Sequence, residues 1–180
     1  MWYSFESRRS DKFLTWDVTA WNALMSVYAQ LDQFKMVLKS FRKMIREGVF
    51  PDPISFLILL NACSHDGLVE VGERIFEDMK SVYSPIPTSE HYNCMVDLLG
   101  RVGCLMEAQD VLQTLPVLPG LIGWSSLLSG CKTHGNIELG KRCFIELFQL
   151  DFRDASSYMI MLSLFSNSQT LEDSREIALL

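Results

Sequence analysis

The sequence predicts an all-α fold, a right-handed α-solenoid of stacked helix–turn–helix repeats rather than a compact enzyme. Three observations predict it. An aromatic landmark recurs as Trp21, Phe56, Tyr92, Trp124 and Tyr158, at spacings of 35, 36, 32 and 34 residues. Eleven residues beyond each landmark stands a turn residue: Asp32, Gly67, Gly103, Gly135 and Gln169. Three of these are glycines, which suit the left-handed cap that ends a helix. Pro51, Pro53, Pro85, Pro87, Pro116 and Pro119 fall between the resulting units, where helices must stop.

Each unit reads as a first helix, such as Thr19–Ala29, a turn, and a second helix, such as Phe34–Arg46. Two residues after each turn comes an apolar position: Phe34, Val69, Leu105, Ile137 and Leu171. Three further on the residue is small at Gly72, Ala108, Gly140 and Ser174, with Val37 as the exception. A small side chain there is expected to let the two helices of a hairpin approach closely. Apolar pairs at i, i+3 follow at Phe41–Met44, Phe76–Met79, Leu112–Leu115 and Phe144–Leu147, completing one apolar stripe per helix. A single hairpin cannot cover its own stripe, so neighbouring hairpins must stack.

Composition agrees with a packed chain. Hydrophobic residues make up 48% of the 180, too many for a disordered segment. The longest apolar runs, such as Ile54–Leu60, fall far short of the ~20 residues that span a bilayer. Cys63, Cys94, Cys104, Cys131 and Cys143 lack the spacing of a secreted disulfide framework, and a reducing interior is the simpler reading. Net charge is −6, which argues against a surface that grips phosphates throughout. The charge is uneven: residues 1–50 carry a net +3 and residues 51–180 a net −9. A nucleic-acid-facing portion therefore belongs near the N-terminus, and the acidic remainder suits a solvated or protein-docking surface.

At this point the residues resemble a known family. The string VTAWNALMSVYAQ…FRKMIREGVFPD resembles a pentatricopeptide repeat, spanning Val18–Asp52 after a remnant segment, residues 1–17. Pro53–Thr88 (FLILLNACSHDGLVEVGERIFEDM) resembles the long repeat variant of plant proteins with alternating repeat lengths. Ser89–Gly120 (EHYNCMVDLLGRVGCLMEAQDVLQTLP) resembles the short variant. Leu121–Asp154, with its His-Gly-Asn-Ile-Glu-Leu-Gly string, resembles the C-terminal extension motif, and Ala155–Leu180 a cut-short second one.

The resemblance implies binding of single-stranded RNA, one base per repeat, read by two or three side chains. Its readers are the fifth and last residues of a repeat, which here are Asn22 and Asp52 in the first repeat. That pair implies a pyrimidine, uracil first. The amide of Asn22 offers a donor and an acceptor to a base edge, and a carboxylate accepts from an imino N–H or a bridging water. Thr19 and Ile54 occupy the positions that pack on base faces. In later units Leu57 stands with Thr88, and Asn93 sits at a reading position opposite Gly120. A second reading is open for the first pair: Asn22 as a capping or solvated residue of a first turn, and Asp52 as a turn residue between prolines.

The family further implies an adaptor for mitochondrial or plastid transcripts, in the class that directs cytidine-to-uridine editing, with a partner docked on Leu121–Leu180 supplying the deaminase. No convincing transit peptide is legible in the chain itself. The zinc deaminase signature of some relatives (His-x-Glu with Pro-Cys-x-x-Cys) does not occur, nor does a phosphate-binding glycine loop. Cys63 and His65 lack a second pair for a metal. No enzyme, metal or cofactor is expected. A protein-binding scaffold, like tetratricopeptide arrays of similar architecture, and a fragment of a longer repeat protein both remain open.

Overall fold

A computed structural model of the chain describes residues 16–83, 86–115 and 118–167, and within them the architecture is an α-solenoid. Four helical hairpins follow one another: α1 (Val18–Gln30) with α2 (Phe34–Arg46), α3 (Pro53–Asp66) with α4 (Val69–Asp78), α5 (Ser89–Val102) with α6 (Leu105–Gln113), and α7 (Leu121–His134) with α8 (Ile137–Leu150). A last helix, α9 (Ala155–Asn167), completes the described stack. Expectations placed on Gln169, Leu171, Ser174, Pro85, Pro116 and most of the residue 1–17 segment lie outside the described residues.

The hairpin turns form for the reason the sequence offers. Gly67, Gly103 and Gly135 adopt φ of +65°, +90° and +70°, a region that favours a residue without Cβ. Asp32 takes the same role at φ +52°, helped by the tolerance of short polar side chains for this conformation. Each turn closes with a backbone bond to the fifth residue back. These are Gln33 N–H to Tyr28 O, Leu68 to Cys63, Cys104 to Leu99, and Asn136 to Cys131, all 2.9–3.0 Å. That 6→1 bond satisfies a carbonyl the helix end would otherwise leave orphaned. Beyond α4 the chain makes a π-type turn over Met79–Tyr83, in the unit with the longest landmark spacing.

The landmarks turn out to join one unit to the next. Phe56 packs edge-on against Phe41 of the preceding second helix, with centroids 5.6 Å apart. Tyr92 meets Phe76 at 5.1 Å, and Tyr158 meets Phe144 at 5.1 Å, in the same T-shaped arrangement. These three landmarks thus dock on the first member of the i, i+3 pair of the hairpin before them. The small residues also act between units, which corrects the sequence expectation. A Cβ on Gly72 would lie 2.5 Å from Leu98 of α5, and on Gly140 2.4 Å from Leu164 of α9. The helix of the same hairpin stays at an ordinary 3.6 Å in both cases. Glycine here admits a leucine from the following unit.

First helices pack on one another along the stack (α1 on α3, α3 on α5, α5 on α7, α7 on α9), whereas no second helix makes comparable contact with the next. The stack therefore curves with the first helices on its inner side. Histidines stitch the inner row. Buried His91 accepts the Thr88 backbone N–H at Nδ1 (3.2 Å), which leaves Nε2–H to donate to the Pro53 carbonyl (2.8 Å). His134 Nε2 likewise donates to the Arg101 carbonyl at 3.0 Å. Replacing His91 by alanine removes the bond from α5 to the Pro53 carbonyl of α3 and the partner of the Thr88 N–H at a helix start, so a loss of about 1 kcal/mol is expected. Chemical denaturation would measure it, and an unchanged midpoint would remove His91 from the fold's support.

All five cysteines are free thiols, and burial pushes Cys63 and Cys94 up to about 12. Cys63 is sealed in the core, while His65 is exposed beside Asp32 at 3.6 Å, so the two side chains do not converge on a common site.

Candidate nucleic-acid interface

The sequence-predicted residues gather on the inner row, in the first turns of successive first helices. Asp52 is the N-cap of α3: its Oδ1 accepts the backbone N–H of Ser55 at 2.8 Å, while Ser55 Oγ accepts the Asp52 N–H at 3.2 Å. This reciprocal box starts the helix, and Pro53 at its first position has no N–H to orphan. The last residue of one unit is thus the start signal of the next. Asp17 caps α1 in the same way, accepting from Ala20 N–H at 2.8 Å, and Asp154 caps α9 through Ser156 and Ser157.

Asn22 reaches that cap from α1. Its Nδ2 donates to Asp52 Oδ1 at 3.0 Å, and its Oδ1 accepts from Ser55 Oγ at 2.7 Å. Asn22 is buried, so the picture of a capping or solvated first-turn residue does not hold; Asp52, read as a turn residue, is the helix cap, and the cap and the pairing with Asn22 coexist. Burial alone would raise the Asp52 carboxyl, but bonds from Asn22, Ser55 and the Ile54 backbone outweigh it and hold the group below the usual carboxylate range. Ionised Asp52 therefore stabilises the fold above its unfolded pKa, and that contribution is lost as pH falls through the lowered native value. One N–H and one lone pair of the Asn22 amide remain for a ligand. Thr19 and Ile54, both exposed, flank this polar cluster from successive helices.

The other units differ. Thr88 is engaged by His91 and Glu90, and Leu57 offers no polar edge. Asn93 is half-buried beside a cleft of about 400 Å³ lined by Glu90, Leu118, Gly120 and Ile122 among others. Gly120 supplies no carboxylate, and at the position matching Ser55 stands Gly123, whose missing Cβ would lie 2.9 Å from Asn93 Oδ1. Glu90, at the position matching Thr19 and Ile54, is held below the usual carboxylate range by the Thr88 hydroxyl. In the Leu121–Asp154 unit Ser125 holds the fifth position, and the oxygens of Asp154, its last residue, go to Ser156 and Ser157. Among the described residues only the first interval presents an ordered donor–acceptor set. Ser55 was missed by sequence reasoning, although Asp-x-x-Ser ahead of an apolar run is a legible capping signal. Of the basic residues near the N-terminus, Lys35, Lys39, Arg42, Lys43 and Arg46 lie exposed on α2, a second helix, rather than on the inner row.

A model of the PPR repeat family matches residues 17–65, and a PPR repeat model matches residues 54–82, 90–116 and 122–152. Together they cover more than half of the chain. The chain belongs to the PPR repeat family. Among PPR proteins it is similar to the chloroplastic protein CRR2 of Arabidopsis thaliana, 39% identical over 161 residues, covering 89% of this chain and 24% of that protein. It is also similar to a mitochondrial pentatricopeptide repeat-containing protein of the same plant, 38% identical, covering 89% of this chain and 26% of the relative. This PPR chain thus spans about a quarter of the length of these relatives. Its fold matches that of maize PPR10 in complex with an 18-nucleotide psaJ RNA element, with a TM-score of 0.78, 19% identity, and coverage of 89% of this chain and 24% of that one. It also matches the PPR domain of Arabidopsis protein-only RNase P 1 in complex with tRNA, with a TM-score of 0.66, 17% identity, and coverage of 86% and 83%.

Proposed function

We propose that this chain is a non-enzymatic, single-stranded RNA-binding PPR unit that reads a pyrimidine, uracil in preference, through Asn22 and Asp52. The observation that carries the reading is the Asn22–Asp52 bond across two adjacent units, set between exposed Thr19 and Ile54. A base entering from the inner side would pack between Thr19 and Ile54 and meet the unspent donor and acceptor of the amide. Asn93 is the second candidate reader, in a cleft without a carboxylate. The RNA complex of the PPR10 structure and the chloroplast and mitochondrial relatives support an organelle transcript as ligand. The long, short and extension-type motifs of the sequence support a role in cytidine-to-uridine editing, with the acidic residues from Leu121 onward as the docking surface for a deaminase.

Fluorescence anisotropy at low salt tests the reading, with short uridine-containing RNA against matched DNA. Wild type is expected to favour RNA, and Asn22→Ala to weaken binding by about 1 kcal/mol or more, the scale of one specific base contact. Should both proteins bind RNA equally well, base reading at Asn22 is wrong. The net −9 carried by residues 51–180 favours a second reading, a protein-binding scaffold, and an absence of RNA binding by the wild-type chain would put it first.

A further inference from the structure

Ser55 completes a ring of hydrogen bonds that the two expected readers do not close alone. The Asp52 N–H donates to Ser55 Oγ (3.2 Å), Ser55 Oγ–H to Asn22 Oδ1 (2.7 Å), and Asn22 Nδ2–H to Asp52 Oδ1 (3.0 Å). Ser55 Oγ also lies 3.0 Å from Asp52 Oδ1, but a hydroxyl has one proton. Asp52 Oδ1 already accepts two N–H bonds, from Ser55 and Asn22. The proton therefore belongs on the shorter path, to Asn22. Ser55 is fully buried, and no other described group is placed to donate to that amide oxygen.

The orientation of the amide matters because uracil and cytosine differ by reversal of one donor–acceptor pair. Uracil presents an acceptor at its C4 oxygen beside an N3–H donor; cytosine presents an N4 amino donor beside an N3 acceptor. An amide with Nδ2 and Oδ1 fixed in space fits one order and opposes the other. Resting on the base-reading role of Asn22, we propose that Ser55 is a positioning residue that locks this amide and thereby sets the preference for uracil over cytosine. Asn93 supplies the contrast within the same chain. With Gly120 and Gly123 at the two supporting positions, its amide has neither lock and discriminates poorly.

The test compares affinities of the full chain for short oligouridine and oligocytidine, for wild type, Asn22→Ala, Ser55→Ala and Ser55→Thr. Wild type is expected to prefer oligouridine by about fivefold or more, as one base contact of this kind provides. Ser55→Ala, which leaves Asp52 as the only orienting partner of the amide, is expected to lower the ratio by about twofold or more, and Ser55→Thr, which keeps the hydroxyl, to retain the preference. The ratio, rather than the affinity, is the readout, because a general loosening of α3 weakens both ligands alike. If Asn22→Ala abolishes the preference while Ser55→Ala keeps it, the lock is refuted and base reading stands. If wild type shows no preference, or Asn22→Ala leaves it intact, base reading fails and the lock with it. Circular dichroism checks folding, and if Ser55→Ala does not fold, Ser55→Cys, near in shape and a weaker donor, is judged by the same ratio.

Discussion

Phe56→Ala is expected to lower stability by about 3–5 kcal/mol, the usual loss on truncating a buried phenylalanine. Phe56 is 1% exposed and packs against Phe41 of α2 and Tyr83 beyond α4, so one ring joins two hairpins. The effect is larger than hydrophobic transfer alone because the aromatic neighbours cannot collapse into the space without giving up their own contacts. Thermal unfolding followed by circular dichroism should show a midpoint fall on the order of 10 °C. In a stack where each unit touches only its neighbours, the first two hairpins should open before the rest. Hydrogen exchange resolves that order, and uniform loss of protection along the chain would contradict it.

The second large effect comes from a place where two backbones touch. A Cβ on Gly130 of α7 would lie 2.9 Å from both Cα and O of Gly100 in α5. Backbone has no rotamer by which to withdraw, so Gly130→Val must force α5 and α7 apart, at a cost of about 3 kcal/mol or more. The reverse side of the same contact behaves oppositely. A Cβ on Gly100 meets Ser126 O at 3.5 Å and Gly130 Cα at 3.8 Å, ordinary separations. Gly100→Ala is therefore expected to be tolerated, with a gain of about 0.5–1 kcal/mol from helix propensity. Denaturant unfolding of the two variants decides the matter, and equal destabilisation would mean that the helix approach is not set at Gly130.

What could be read from the sequence follows from how local the fold is. Asp32, Gly67, Gly103 and Gly135 announce their turns because a left-handed backbone is a property of one residue and its immediate neighbours. The landmark aromatics were legible because stacking repeats the same environment in each unit. What was hidden depends on partners some 33 residues away, as in the Ser55–Asn22 and Ser64–Asp97 pairs. Period alone says that Gly72 must be small; it does not say that Leu98 of the next unit, rather than the helix of its own hairpin, demands it. Asp52 was read as either a turn residue or a base reader, and one carboxylate oxygen in fact serves the helix start and the amide of Asn22 together. Alternatives that look exclusive in one dimension are compatible in three.

Continuous packing along the inner helices, with the outer helices apart, gives the molecule an unequal mechanical response. The outer edge is the more compliant side, because among the described residues α2, α4, α6 and α8 do not pack on one another as the first helices do. The inner row, sealed by Gly100 against Gly130, acts as the inextensible side of a strip. Bending of such a strip leaves the spacing between successive first turns nearly constant while its pitch changes. A strand threaded along the inside would keep a fixed interval between contacts even as the whole stack flexes around it.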